Sequence, residues 1–283
     1  MTKLPDIQDQ TVRTPAECSD SNDSIRLETR IDRNGKLTYH SLSADTNGGV
    51  LEKVYDQENR LLKVIKRSGS SKSETFVDPH SGARTRVLEL ATMPDGNLAS
   101  SDVIYYSSNR SSQVVTVFRP NGLLIRIIER ELRGSMVTFQ GQTDYDVNSH
   151  PVSTINQHID PESGLLMHRE QIHWLGEGQR AMTEHFYFDI SGYTGRYVKI
   201  LHNSGGAIFS EETQQFDPDT KKMVRRELAA FDLSGHQTCL DVLRYDLNGA
   251  VIERQSTFFD SSGKAIITRR SSGSDSTFES LLS

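Results

Sequence analysis

Histidine is the residue type whose spacing first points to chemistry in this chain. Six of the nine histidines lie within about fifty of the 283 residues, at His150, His158, His168, His173, His185 and His202. A zinc site needs three or four such ligands converging within roughly 2 Å of one point. On a strand, His168 and Glu170 share a face while His173 points to the other. The spacing therefore favours polar histidines on a solvated face over a metal site, although His158 and His168 could meet across a turn.

The sequence contains no other recognisable catalytic set. His168 and His173 are five residues apart, whereas the helical zinc-protease motif needs two histidines four apart with Glu beside the first. Short Asp-x-Asn segments such as Asp32-Arg33-Asn34 lack the spaced ligands and the distal Glu of a calcium loop. Nucleophile elbows, phosphate loops and dinucleotide fingerprints are missing from the sequence. These observations predict a protein that is not an enzyme and uses no metal or other cofactor.

A recurring turn phrase specifies the elements that must position these residues. It consists of an apolar or aromatic residue, Asp, two or three loop residues and Gly, as in Tyr245-Asp246-Leu247-Asn248-Gly249. Asp217, Asp232, Asp246 and Asp260 stand 15, 14 and 14 residues apart. Asp accepts backbone hydrogen bonds inside a tight turn, and Gly adopts the left-handed conformation that closes it. A fixed period of this kind predicts one repeated β-hairpin unit.

The segments between the bends have strand composition. Gln113–Phe118 and Val251–Phe259, for example, are rich in Val, Ile, Phe and Thr. Subtracting the bend from the period leaves strands of about nine or ten residues. We therefore predict an all-β fold, a long antiparallel meander of about 16–20 strands built from Asp-x-x-Gly hairpins. Because strand twist accumulates, a sheet of that length is expected to be rolled or partly closed.

Composition and charge define the expected domain boundaries. Residues 1–24 and 271–283 are polar and poor in apolar residues, which predicts disordered tails around one continuous hairpin domain at 25–270. The net charge is −6, of which −3 lies in residues 1–24 and −2 in residues 271–283. The nearly neutral remainder has no global field for nucleic acid or an anionic membrane.

The sequence also gives expectations about compartment. Cys18 and Cys239 are too few for a disulfide framework, which favours two free thiols in a reducing compartment. No apolar run is long enough for a membrane span, and the first ten residues lack the apolar region of a secretory signal. We therefore expect a cytoplasmic protein. The alternative is export by a specialised secretion system without a cleaved signal peptide.

Several phrases resemble a known family of repeats. Tyr55-Asp56 followed by Arg60-Leu61, and Tyr245-Asp246 followed by Asn248-Gly249, look like the Tyr-Asp (YD) repeats of the rearrangement-hotspot (RHS) and teneurin proteins. The segment from Ile159 to Leu166 is similar to the Asp-Pro-Glu-Thr-Gly-Leu segment of that family. The resemblance covers most of residues 31–268 and implies a spiralling sheet of hairpins. It departs from the family after Gly164, where leucines and a histidine replace the expected tyrosines.

These observations predict a non-enzymatic β-repeat scaffold or binding protein. We expect it to recognise another macromolecule, a protein and not nucleic acid, through a sheet face or an edge. The candidate binding residues are Trp174, His168, His173 and Tyr187, in the stretch richest in aromatic and imidazole rings. The alternatives are a secreted bacterial effector or toxin-associated protein of the YD-repeat type, and an enzyme or metal-binding protein that uses the histidine-rich segment. The sequence leaves the oligomeric state open.

Overall fold

The structure is a computed structural model that describes residues 11–12, 26–31, 36–44 and 48–272. Apart from Thr11–Val12 and residues 271–272, the two predicted tails lie outside the described residues. The same is true of Cys18 and of the predicted bend at residues 32–35.

Twenty strands and one short 3-10 turn, at Gly176–Gly178, make up the described secondary structure. The chain divides into two compact units. The first unit contains residues up to Ser135 together with Val147–Ser149. Its strands are β1 (Thr11–Val12), β2 (Arg26–Ile31), β3 (Leu37–Ala44), β4 (Val50–Tyr55), β5 (Leu61–Ser68), β6 (Ser71–Val77), β7 (Arg84–Thr92), β8 (Leu98–Tyr106), β9 (Arg110–Phe118) and β10 (Leu124–Arg133).

The second unit contains Met136–Asp146 and the residues from His150 onward. Its strands are β11 (Met136–Tyr145), β12 (Pro151–Ile159), β13 (Leu166–Leu175), β14 (Gln179–Phe188), β15 (Thr194–His202), β16 (Ile208–Phe216), β17 (Met223–Phe231), β18 (Gln237–Tyr245), β19 (Val251–Phe259) and β20 (Ala265–Ser272).

Each unit is an antiparallel meander in which every strand pairs with the next one along the chain. This holds from β1 to β10 in the first unit and from β11 to β20 in the second. Among the described residues, the registers pair β1 with β2 and β20 with β19, and none joins β1 to β10 or β11 to β20, so neither meander is closed. The prediction of an all-β antiparallel meander built from repeated hairpins is confirmed.

The bend at Asp246 shows why the phrase specifies a turn. The Asp246 N–H donates to the Ala250 carbonyl at 2.9 Å, and the Gly249 N–H donates back to the Asp246 carbonyl at 3.0 Å. The Asp246 carboxylate accepts from the N–H groups of Asn248 at 2.8 Å and Ala250 at 2.9 Å. Gly249 has φ 87°, the left-handed value that favours glycine. Bends with the same hydrogen bonds begin at Asp189, Asp232 and Asp260.

Side chains buried near the centre of the strands are both apolar and polar. In the first unit they include Val54, Ile65 and Val87, together with His40, Glu52 and Glu74. In the second unit they include Ile172 and Val198, together with Thr154, Thr183, Thr213, Asp241 and Thr257. A meander buries these positions mainly between neighbouring strands, which is why an apolar content of 35% suffices.

Two further findings concern helix length and the cysteine that the structure describes. No helix among the described residues is long and apolar enough to cross a membrane. Cys239 is a free thiol, and burial raises its pKa.

Candidate binding face

Four strands of the second unit bring together a group of stacked rings. Phe139 on β11 pairs with His158 on β12, His158 with His168 on β13, and His168 with Tyr187 on β14. Side chains of directly paired residues lie on one face of a sheet. His185 is two residues from Tyr187 on β14 and therefore shares that face. We call these five residues the ring ladder.

The rings of the ladder lie nearly parallel to one another at its centre. The His158 and His168 rings have centroids 5.5 Å apart and an interplanar angle of 19°. His168 is 4.6 Å from Tyr187 at 19° and 5.4 Å from His185 at 12°. Phe139 closes one end with its centroid 5.1 Å from that of His158. Because the rings cover each other's faces, a ligand reaches mainly their edges.

His168 contacts three other rings of the ladder, those of His158, His185 and Tyr187. Its Nε2 atom lies 3.2 Å from Nδ1 of His185, so one ring donates a proton and the other accepts it. Burial lowers the pKa of His168, and the neighbouring imidazoles of His185 and His158 lower it further. Glu170 opposes this effect, since its negative charge raises the His168 pKa. The ladder therefore favours an uncharged His168.

The same line of paired residues continues with cations. Tyr187 pairs with Arg196 on β15, and the Arg196 guanidinium lies 5.5 Å from the Tyr187 ring centroid. The next three partners are Gln215 on β16, Arg225 on β17 and Arg244 on β18. We call the eight residues the ring–arginine row: Phe139, His158, His168, Tyr187, Arg196, Gln215, Arg225 and Arg244. Seven strand spacings give it a length of roughly 34 Å.

Carboxylates near the row already contact side chains of this chain. Glu227 forms an ion pair with Arg225, and Glu253 lies 3.4 Å from Arg244. The Glu170 carboxylate accepts a hydrogen bond of 2.7 Å from the Asn156 side chain. Arg196 is exposed and has no ion pair within the part of the chain that the structure describes. The row therefore offers ring edges and guanidinium donors, and the line of paired residues ends at Glu253 on β19, the direct strand partner of Arg244.

The four residues selected from the sequence fall into different places. His168 and Tyr187 are adjacent in the ladder, and the exposed fraction of Tyr187 is 38%. Trp174 occupies the same face farther along β13, half-buried, where its Nε1–H donates to Thr154 Oγ1 at 3.0 Å. The Arg180 guanidinium lies 5.6 Å from the Trp174 ring centroid. Trp174 therefore belongs to the ladder's face but not to the ladder.

His173 lies on the opposite face, as strand alternation predicts. Its Nε2 atom is 3.3 Å from the Glu184 carboxylate, which also accepts from the Tyr197 hydroxyl at 2.6 Å. Burial and the Glu184 hydrogen bond raise the pKa of Tyr197. His173 therefore takes part in a separate polar cluster rather than in the candidate site.

Sequence reasoning missed several members of the row. Phe139, Arg196, Arg225 and Arg244 have ordinary spacing in the sequence and become neighbours only through strand pairing. Counting residues outward from each Asp bend could have found them, provided that the bulge beside each bend was included. Among the described residues, no group of three or more His, Cys, Asp or Glu side chains is arranged to hold a metal ion.

No protein-family model and no curated protein matches the chain. Among solved structures, the chain is similar to a TarM mutant of S. aureus crystallised with fondaparinux, alpha-GlcNAc-glycerol and UDP, at 14% identity and a TM-score of 0.19, over 46% of this chain and 19% of that one. It is similar to TcdB2-TccC3 at 12% identity and a TM-score of 0.23, over 85% of this chain and 16% of that one. A porin-like protein from Bacteroides uniformis matches at 11% identity and a TM-score of 0.19, over 87% and 94% of the two chains. The chain thus spans less than a fifth of the first two, and scores this low do not establish a shared fold.

Proposed function

We propose that the protein is a non-enzymatic binding scaffold whose ring–arginine row recognises an acidic segment of a protein partner. The observation that carries this proposal is the composition of the row. Eight successive strands, β11 to β18, contribute rings, three arginines and one amide to it, and the line ends on β19 at Glu253, which lies 3.4 Å from Arg244. A surface of this kind is complementary to an extended run of Asp or Glu side chains.

Exposure of the arginines supports the same partner chemistry. The Arg244 side chain is 57% exposed and that of Arg225 is 38% exposed, so both guanidinium groups can reach a partner. The ion pairs Arg225–Glu227 and Arg244–Glu253 are screened by solvent and therefore weak. Replacing Glu227 or Glu253 by a partner's carboxylate therefore costs little free energy. Charge complementarity of this kind sets association rate and specificity more than affinity.

Ring packing favours a polypeptide over a single-stranded nucleic acid. Proteins that bind single strands without sequence preference gain much of their affinity by stacking bases on exposed aromatic faces. In the ladder, His168 stacks on Tyr187, and Arg196 lies over Tyr187. The ring faces are therefore already covered, while the ring edges and guanidinium groups remain able to bind carboxylates.

A fluorescent peptide of twelve glutamates is the probe for this proposal, with binding followed by fluorescence anisotropy. We expect saturable binding that weakens with added salt and falls at least about tenfold in the triple variant Arg196→Glu, Arg225→Glu, Arg244→Glu. Arg269→Glu is the matched control, because Arg269 is exposed and faces the other side of the sheet. Equal binding by the triple variant, or tighter binding of an oligothymidylate than of the peptide, would refute the proposal.

The second candidate is a secreted effector or toxin-associated protein of the YD-repeat type. What favours it is the hairpin phrase itself, whose Asp and Gly form the same hydrogen-bonded turn at four positions in the second unit. In that case residues 1–24 would direct export of an otherwise cytoplasmic protein. Deleting them should stop translocation of a fused reporter, and unimpaired export would remove this candidate.

A further inference from the structure

A pocket in the first unit has a composition unlike that of the sheet around it. It has a volume of about 510 Å³ and lies over β5 and β6, between Arg60 and the bend that joins β6 to β7. Its floor consists of the half-buried residues Leu61, Val64, Thr75 and Val77. Val64 pairs directly with Thr75, so the floor is one continuous patch of a single face. Its volume is within the usual range for small-molecule sites.

The bend from β6 to β7 forms one wall of this pocket and is fixed by its own hydrogen bonds. The Asp78 N–H donates to the Ala83 carbonyl at 2.8 Å, and the Gly82 N–H donates to the Asp78 carbonyl at 2.9 Å. Pro79, which also lines the pocket, follows Asp78 and restricts the backbone there. The wall is therefore present before any ligand arrives.

Among the described residues, Asp78 is the only carboxylate that lines the pocket, and it is turned to its own bend. Oδ1 of Asp78 accepts from the Ser81 N–H at 2.7 Å, the Ser81 hydroxyl at 2.8 Å and the His80 N–H at 3.1 Å. These hydrogen bonds lower the pKa of Asp78, and the one from the Ser81 N–H has the largest effect. Asp78 is thus ionised, and its Oδ1 atom already accepts three hydrogen bonds from the bend.

The cations at the rim of the pocket differ in whether a nearby carboxylate compensates their charge. Arg60 donates to Asp56 at 2.8 Å and lies 2.7 Å from Glu58, so its charge is compensated. Lys66 and Arg84 line the pocket as well, and both are exposed. Within the described residues neither has an ion pair or a hydrogen-bonding side-chain partner. Arg84 is the direct strand partner of Val77, which places its guanidinium group beside the apolar floor.

We propose that this pocket binds a small carboxylic acid with an apolar body. The carboxylate would contact Arg84, whose planar guanidinium group suits bidentate binding, and Lys66 would add a second positive charge. The apolar body would cover Leu61, Val64 and Val77. The combination selects against a neutral apolar molecule, which leaves both cations uncompensated, and against a small anion, which leaves the floor exposed to water.

Three probes separate these contributions, with binding measured by isothermal titration calorimetry. Octanoate carries both features, 1-octanol carries only the apolar body, and acetate carries only the charge. We expect octanoate to bind at least about tenfold more tightly than either of the others. Equal binding of octanoate and 1-octanol, or no binding of octanoate, would overturn the proposal.

Variants locate the site. Arg84→Gln and Lys66→Gln should each weaken octanoate binding, with the larger loss of about tenfold for Arg84→Gln. Val64→Trp should abolish it by filling the pocket while leaving both cations in place. Arg110→Gln is the matched control, because Arg110 is an exposed arginine of the first unit outside the pocket. Unchanged affinity in Arg84→Gln, with an unchanged urea midpoint to show that the variant is folded, would place octanoate elsewhere.

Discussion

His40 Nδ1 lies 2.7 Å from Oε1 of Glu52, whose side chain is only 1% exposed. Arg30 donates to the same oxygen at 3.1 Å, and Arg67 donates to Oε2 at 2.9 Å. The His40 hydrogen bond, followed by those cationic neighbours, outweighs burial and lowers the pKa of Glu52 to about 2. The first unit therefore contains a buried carboxylate held ionised by side chains from three other strands.

Replacing this carboxylate should destabilise the first unit. Glu52→Gln leaves His40, Arg30 and Arg67 without their shared negative charge. We expect a loss of about 2 kcal/mol, less than for a fully buried pair because Arg67 is partly exposed. Glu89→Gln, at an exposed position of β7, is the matched control and should change stability by less than about 0.5 kcal/mol. Equal urea midpoints for the two variants would contradict this interpretation.

Acid should destabilise the bends through their aspartates. The N–H of Ala250, and then that of Asn248, lower the pKa of Asp246 below its unfolded value. A group with a lowered folded pKa contributes stability that is present above the unfolded pKa and lost as the pH falls through the folded one. Asp246→Asn retains an acceptor oxygen, so its urea midpoint should fall less than that of the native chain between pH 6 and pH 3.

A second substitution tests whether that difference belongs to the bend. Asp219 is exposed, and its carboxylate accepts no hydrogen bond within the described residues. Asp219→Asn should leave the pH dependence of the urea midpoint as it is in the native chain. If the urea midpoints of Asp246→Asn and Asp219→Asn fall equally between pH 6 and pH 3, the Asp246 hydrogen bonds do not govern the acid sensitivity.

The ring ladder should show an acid-shifted histidine. Because burial and then His185 and His158 lower the pKa of His168, its ring should titrate below the ordinary value of about 6.5. Stability from an uncharged His168 is present above pH 6.5 and is lost as the pH falls through the folded pKa. Proton NMR of the histidine rings measures the midpoint directly.

Glu170 supplies the internal check on that titration. Its charge raises the His168 pKa, so Glu170→Gln should move the His168 midpoint to a still lower pH. Glu184→Gln is the control, since Glu184 binds His173 on the other face of the sheet. A midpoint at or above 6.5 in the native chain would show that the ladder does not enclose His168.

Particular residues show what the sequence could specify. The contact between His158 and His168 follows from the Asp160–Gly164 bend between them, and the structure confirms it. Placement of His173 on the opposite face follows from strand alternation in the same way. The addition of Arg196 depends on a register shift between Tyr187 and Phe188, and the same shift recurs beside the bends at Asp232, Asp246 and Asp260. Local turn chemistry was therefore readable directly, while the row across many strands emerges only when this shift is added at every bend.

Burial was the least predictable property. Glu52 has Val50 and Val54 two residues away on either side, but its charge partners come from positions 12 to 22 residues away, and nothing local in the sequence pairs them with it. Its environment arises only when β2, β3, β4 and β5 are placed side by side. Sequence composition suggested a solvated polar face, whereas the structure contains a compensated charge cluster.

Lys221 allows the cost of a left-handed residue to be measured in one bend. It has φ 61° at the position where the bends at Asp78 and Asp160 have glycine. Its Nζ atom also lies 2.9 Å from the Asp189 carboxylate and 4.3 Å from the Tyr193 ring centroid. Lys221→Ala and Lys221→Gly both remove these contacts, but only glycine also removes the backbone strain. We expect Lys221→Gly to be about 1 kcal/mol more stable than Lys221→Ala in urea unfolding. Equal stability of the two variants would mean that the bend imposes no strain at this position.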